Sequence, residues 1–505
     1  MRRKTYLAFG LGLALAPLAG CSPAAPLPPA AESTAATAAE AENMRLVGYH
    51  DMQGRYALEI KTKSDAANGN WAYVGHVPGG QGEDGLFNPI TKRKEWNGSS
   101  IFEISDPANP RLVWHIPNDV SSNSRSVSVV YDHGPEKRDY LARNSESPGN
   151  LKFQIFDVTD RGTDPSKIML VSEITGTPPN SCGRGCGGDF DESPMPPEGA
   201  RHPVPRSHKG FWSQSSGRFY TSSNEPGFRS TIIQIWDLND PRTPKFVGRA
   251  WLPGQRLGEP GFQDQYVHHP IVDEQNNRMY AGFRDGSGQV AAWDISNPAS
   301  PKLVWSYDTS PPGRGPHTVS PIRYEQVPNF DGASLPRTYA FVTDELGGEC
   351  APGVVKSKSY MFDITHESHP MPVATYQVPV GDFCKTGGAF GPHQHAEHRN
   401  SELNRFEDRL AFVAYLNAGI RVVDISDPYH LREVGHFIPK TNVPGAPPIQ
   451  LTDVDIDHRG LLYASDRSTA SCITPEGTPV AIEGGASCMA TGLFVLEYTG
   501  PRGGM

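Results

Sequence analysis

The chain lacks the usual signatures of several chemistries: it has no Gly-x-Ser-x-Gly elbow, no Walker loop and no dinucleotide-binding fingerprint. Serine-elbow hydrolysis, P-loop phosphoryl transfer and Rossmann-type hydride transfer are set aside. It also lacks a basic cluster interleaved with aromatics. The 46 Lys and Arg residues face 56 Asp and Glu, a formal charge of −10, and so acidic a surface repels phosphate backbones. No nucleic-acid partner is expected. Room for long helices is scarce too, because 52 Gly and 47 Pro, about one residue in five, break the chain into short segments. That composition predicts an all-β fold. With 505 residues, 37% hydrophobic and 20% charged, the chain is long enough for a large core.

No apolar run is long enough for a comfortable membrane span. The best candidate, Tyr6 to Leu18, is short and follows Arg2-Arg3-Lys4, the pattern of a secretion signal. It ends in Leu18-Ala19-Gly20-Cys21, which resembles the bacterial lipobox. The resemblance implies that residues 1–20 are removed and that Cys21 becomes a lipidated first residue. Ser22, where an Asp is absent, resembles the pattern that sends lipoproteins to the outer membrane, facing the periplasm. The membrane is then a partner only through the lipid. Residues 23–42 are almost entirely Ala, Pro, Glu, Ser and Thr, so 21–43 is expected to be a disordered tether.

Cysteine is sparse, and an oxidising compartment gives the six beyond Cys21 a simple account as three disulfides. Cys182 with Cys186 and Cys472 with Cys488 lie close in Gly- and Pro-rich loops, leaving Cys350 with Cys384. Zinc at Cys182 and Cys186 is the competing reading, although no second pair is nearby.

What is abundant is repetition. One β-rich couplet runs GQVAAWDISNPASPKLVWSY from Gly288 to Tyr307, another SSIFEISDPANPRLVWHI from Ser99 to Ile116, a third AGIRVVDISDPYHLREVGHF from Ala418 to Phe437. Each is an alternating apolar strand, a turn and a second apolar strand. The repeated acid falls at Asp157, Asp237, Asp294, Asp363 and Asp424, with Glu103 in the first copy. Before the couplets lie seven further strands: WAYVGHV, RDYLARN, RFYTSSN, RMYAGFR, RTYAFVT, RLAFVAY and LLYASDR. The seventh couplet lacks its outer strand, and Met44 to Tyr49, MRLVGY, matches the missing piece. The expected fold is a seven-bladed β-propeller over residues 44–500, closed by an N-terminal strand that completes the last blade. The core V-V-D-I-S-D-P at Val422 to Pro428 resembles the LVIVD-repeat propellers of bacterial and archaeal cell surfaces. That resemblance implies the fold and leaves function open.

The innermost strand of four successive blades begins with His: His208, His268 with His269, His317, and His393 with His395. Strand starts meet at one mouth of the channel, where convergent imidazoles without thiolates suit a transition metal, iron or copper before zinc. Four His is also the iron ligand set of carotenoid-cleaving oxygenases, and copper is associated with selenium-binding, methanethiol-oxidase-like propellers; both are analogies of architecture. Each His taken alone could equally cap a strand end beside a wet channel. Blade seven carries Asp453 and Asp455 in the corresponding strand. The partner strands return to the same mouth in Asn224-Glu225, Arg284-Asp285, Asp344-Glu345, Asn417 and Asp466-Arg467. Among these and the strand carrying His393, Glu225, Asp344 and Glu397 are the candidates to shuttle protons or to orient the ring N–H groups of the ligands. His133, His366, His369, His430 and His458 read as surface residues. The Gly- and Pro-rich insertion Thr175 to Pro205 could lid the mouth.

The function expected is a lipid-anchored envelope oxidoreductase or oxygenase acting on a small organic molecule. A surface scaffold or binding module without catalysis is the alternative, and a metal-assisted hydrolase or lactonase a second one.

Overall fold

In the computed structural model the described residues are 39–501, except 66–68, 79–84, 121, 148–149, 176–206, 226, 229, 257, 262–265, 285–287, 311–314, 328–335, 346–349, 355, 398–408, 469–470, 473, 475–476 and 483–486. The signal segment, Cys21, most of the tether, Cys182, Cys186 and nearly all of the 175–205 insertion lie outside them.

Alternating apolar patterns between Asx-Pro turns build antiparallel sheets of four strands, which form seven blades among the described residues. Five are separate sheets, and the sixth and seventh are joined by a single bridge between Leu416 and Leu451. The innermost strands, in order, are Ala57–Asp65, Val127–His133, Ser207–Trp212, Tyr266–Asp273, Pro316–Tyr324, Phe390–His395 and Leu451–Ile456. The repeated acid explains the regular turn: the Oδ1 atoms of Asp157, Asp237, Asp294, Asp363 and Asp424 each accept the N–H two residues on, at 2.8–3.0 Å.

Packing closes the ring. Seven apolar clusters each draw on two consecutive blades. The one that unites the ends sets Ile60, Val74 and Phe102 of blade one against Tyr463, Leu493 and Val495 of blade seven. The strand Met44–His50 pairs with Leu493–Tyr498, from Met44 opposite Tyr498 to His50 opposite Leu493, and supplies the missing outer strand. Its Gly48 is required by close approach, since a Cβ there would lie 2.1 Å from Pro107 O in the Asx-Pro turn of blade one. Gly248 stands in the same relation to Pro298 O, at 2.3 Å.

Two expectations change. Ala39–Glu42 is not tether but a fifth strand on blade six, paired with the outer strand Arg432–Pro439. His133 is buried, its Nε2 donating to Leu238 O at 2.8 Å, because its strand end is covered by blade three. Cys350 is bonded to Cys384 and Cys472 to Cys488.

The inner edges of blades one to three expose N–H groups to a neighbouring blade, and side chains satisfy them across the gap. Glu59 Oε2 accepts from Val127 N at 2.9 Å, and Ser126 and Ser128 accept from Gly210 N and Trp212 N. Asp453 and Asp455 do this between blades seven and one, accepting from Ile60 N at 2.8 Å and Thr62 N at 2.6 Å. Their role is therefore stitching at the closure. Burial pushes the Asp453 carboxyl up to about 7; Lys61 and Lys209 pull it down, while Glu397 and Glu59 add to the rise. A carboxyl raised in the folded state stabilises most below the ordinary carboxylate range and loses that contribution as pH climbs from about 4 to about 7. Asp453→Asn removes the titration. Urea unfolding at pH 4.5 and 7.5 should show the variant gaining roughly 3 kcal/mol on wild type over that window; parallel profiles would contradict the assignment.

Candidate metal centre

Four of the predicted histidines converge. His208, His268, His317 and His393, from blades three to six, are all buried, and their rings follow one another round the channel. Centroid separations are 4.3 Å for His208 and His268, 3.5 Å for His268 and His317, and 4.6 Å for His317 and His393. His208 Nε2 and His268 Nε2 are 2.8 Å apart. That is the length of an N–H···N hydrogen bond between two neutral rings, and it is also close to the 3.0 Å or so that separates two nitrogens at right angles around an ion about 2.1 Å away.

Glu345 completes the cluster. Its carboxylate lies 3.9 Å from His317 Nε2 and 3.9 Å from His393 Nε2, and ligand atoms of His268, His317 and Glu345 all fall within 4.8 Å of one another. Donor chemistry fits a transition ion: imidazole nitrogens, one carboxylate and no thiolate. The supporting bonds also fit. His393 Nδ1 lies 2.5 Å from Thr452 O, which can only accept, so the ring carries its proton there and turns a lone pair at Nε2 towards Glu345. His317 Nδ1 is held by Thr318 Oγ1 at 2.7 Å.

Electrostatics keep these groups in ligating form. Burial lowers His393 to about 4, so the ring is neutral at pH 7. Burial alone would raise Glu345, yet its pKa lies below the ordinary range because His393, Arg284, Arg467 and His208 outweigh that effect. With His393 neutral, Arg284 is the principal counter-charge near pH 7, its Nη1 being 2.7 Å from Glu345 Oε2.

The other expected residues are placed elsewhere. His395 bonds Thr343 Oγ1 and Ser320 Oγ between blades five and six, at 2.6 and 2.8 Å, and is no part of the ring cluster. The side chain of His269 lies outside the described residues. Asp344 turns back to accept from Gly315 N at 2.6 Å, fixing the approach to His317. Glu225 holds Arg249 at 2.7 Å and Gln234 at 3.0 Å on its own blade. Glu397 pairs with Lys61 at 3.1 Å, within a buried network that includes Glu59, Lys209 and Gln394. Glu345 stood beside Asp344 in the strand-end pattern without being singled out. Lys61 and Lys209 carried no signal, since neither belongs to a motif: Lys61 lies in the mixed strand ALEIKTKSD and Lys209 in SHKGFW.

Residues 285–309 and 409–438 match the LVIVD repeat family. The chain carries LVIVD repeats. The two stretches cover the outer couplet of blade four and the three outer strands of blade six. No curated protein matches this LVIVD-repeat chain in sequence. Similar solved structures include a hypothetical selenium-binding protein from Sulfolobus tokodaii, 11% identical over 80% of this chain and 83% of that one, with a TM-score of 0.49. A periplasmic gluconolactonase from Pseudomonas aeruginosa is 12% identical over 88% and 99%, with a TM-score of 0.41. A putative 6-phosphogluconolactonase from Bacteroides uniformis is 12% identical over 75% and 87%, with a TM-score of 0.43.

Proposed function

We propose that this propeller is a metal-dependent oxidoreductase or oxygenase acting on a small organic molecule, held at the bacterial envelope by a lipid on Cys21. The observation that carries the enzymatic part is the row of buried rings His208, His268, His317 and His393, within which His268, His317 and Glu345 bring ligand atoms to within 4.8 Å of one another. A bound iron or copper ion would supply electron-transfer chemistry that none of these side chains has. Glu345, ionised and within reach of two ligand rings, is the group that takes a proton from a substrate entering the mouth. Arg284 holds that carboxylate in place, and Thr452 and Thr318 fix the rings of His393 and His317. The envelope location rests on the N-terminal sequence pattern.

A second reading, metal-assisted hydrolysis of a lactone or ester, is favoured by the same carboxylate, which could activate water instead. Metal analysis separates the readings. Protein purified without chelators should carry about one iron or copper per chain; zinc alone would turn the assignment to hydrolysis. Failure to take up any of the three after reconstitution would leave a non-catalytic binding module.

A further inference from the structure

Side-chain links built on buried charges run from blade to blade across the channel and close on themselves. Lys209 of blade three donates to Gln394 Oε1 of blade six at 2.6 Å and to Glu59 Oε1 of blade one at 3.3 Å. Glu397, just past the innermost strand of blade six, returns to blade one through Lys61 at 3.1 Å, and Lys61 lies 3.3 Å from the same Glu59 oxygen. Glu59, Lys209 and Gln394 are buried. No two of the blades so joined are neighbours in the ring, so the links form a triangle round the propeller axis. Buried ion pairs add little net stability, since desolvation offsets their attraction, and the geometry they impose is the more telling contribution.

One side of the triangle joins the two ends of the ring row. Lys209 follows His208 in the chain, and Gln394 follows His393. Neither histidine is held by the sheet ladder. In blade three the register passes from Ser207 opposite Ser223 to Gly210 opposite Thr221, leaving His208 and Lys209 in a bulge. In blade six it passes from Phe390 opposite Leu416 to Gln394 opposite Ala414, leaving His393 out and Gln394 back on the ladder. To its own blade Lys209 is tied by Ser222 Oγ at 3.3 Å and Thr221 Oγ1 at 3.2 Å, both long beside the 2.6 Å bond to Gln394. That bond therefore refers the bulge of blade three to a fixed point of blade six, one residue from a cluster histidine at each end.

We propose that Lys209 and Gln394 are positioning residues of the metal centre: their bond sets the span between His208 and His393, and so which rings can share an ion with His268, His317 and Glu345. Ligand nitrogens lie about 2.0–2.1 Å from a transition ion, so a displacement of about 1 Å at either end of the row removes that ring from the set. This inference rests on the metal-site reading above for what the span serves.

The test compares Gln394→Met, which removes the acceptor, with Gln394→Glu, which keeps it. The amide nitrogen of Gln394 has no hydrogen-bond partner among the described residues, so the exchange for Glu breaks no bond. Copper(II), the divalent ion that such donors bind most tightly, is titrated into each protein and read by electron paramagnetic resonance. The metal-free proteins, isotope-labelled at histidine, are read by NMR for the ring proton between His208 and His268. Gln394→Met should weaken copper binding at least tenfold, change its hyperfine pattern and speed exchange of the ring proton at least tenfold, whereas Gln394→Glu should match wild type. Lys61→Met, which opens the triangle away from both histidines, should lower the unfolding midpoint and keep the wild-type copper spectrum. A Gln394→Met protein with wild-type spectrum and ring proton overturns the proposal and leaves the metal reading standing. So does a Gln394→Glu or Lys61→Met protein that behaves as Gln394→Met, because the bond is then not the cause. If wild type takes up no copper yet its ring proton depends on Gln394 as stated, the metal reading falls and the positioning role stands.

Discussion

Deletion of residues 44–50 is expected to leave no cooperatively folded protein at 37 °C, whereas deletion of residues 23–38 should not move the unfolding midpoint. The strand Met44–His50 pairs along its whole length with Leu493–Tyr498. Leu46 and Tyr49 pack on the core between blades six and seven, and Val47 on the core between seven and one. The Tyr49 hydroxyl donates to Thr491 O at 3.0 Å and accepts from Ala490 N at 2.8 Å. Losing this strand opens two of the seven cores and bares a sheet edge, a cost on the order of 5 kcal/mol or more against a total stability of about 5–15 kcal/mol. The control deletion stops at residue 38 because Ala39–Glu42 is itself a strand. Thermal and urea unfolding followed by circular dichroism decide the matter, and equal midpoints for the two truncations would refute closure by this strand.

His317→Ala should take bound metal from about one ion per chain to less than about a tenth, with the ring still folded. His317 lies between His268 and His393 and within 3.9 Å of Glu345, so its loss breaks the cluster in the middle. No neighbouring His can substitute. His395→Ala is the matched control: it removes a buried imidazole on the innermost strand of the next blade, one occupied with Thr343 and Ser320, and metal content should stay at wild-type level. Because an ion that binds only the folded state raises stability, a chelator should lower the wild-type midpoint and leave that of His317→Ala in place. Equal metal loss in both variants would mean that the cluster is not the site.

Much of this architecture is legible in the sequence because it is periodic. Seven similar middle strands, four of them with Arg-x-Tyr, and the Asp-x-Ser/Asn-x-Pro turns mark the blades, and MRLVGY shares its Val-Gly pair with the outer strands KFVGRA and REVGHF, Gly48 being where it meets the next blade. Ala39–Glu42 escapes such reading, since Ala and Glu have little strand propensity; its partner is the open backbone edge of Arg432–Pro439. The mouth histidines are legible as a set for the same reason as the blades. Choice within the neighbourhood is not, because the innermost strands are irregular at this point. Register shifts fall between Ser207 and Gly210, Val267 and Pro270, Pro316 and Thr318, and Phe390 and Gln394. Strict alternation fails across a bulge, and Glu345, which reaches the rings where Asp344 does not, lies just past the end of its strand, where alternation no longer assigns a side.

The N-terminal strands carry a mechanical consequence. Ala39–Glu42 belongs to blade six and Met44–His50 to blade seven, and between them Asn43 turns at φ 52°, its Nδ2 donating to Val434 O and its carbonyl accepting from Thr499 N. Tension entering the chain at residue 38 therefore meets a four-residue strand first, then an asparagine clamp that spans two blades, and only then the seal of the ring. Detaching the short strand would leave the closing strand in register, so the arrangement works as a strain relief, sparing the propeller the pull of whatever holds its leading end.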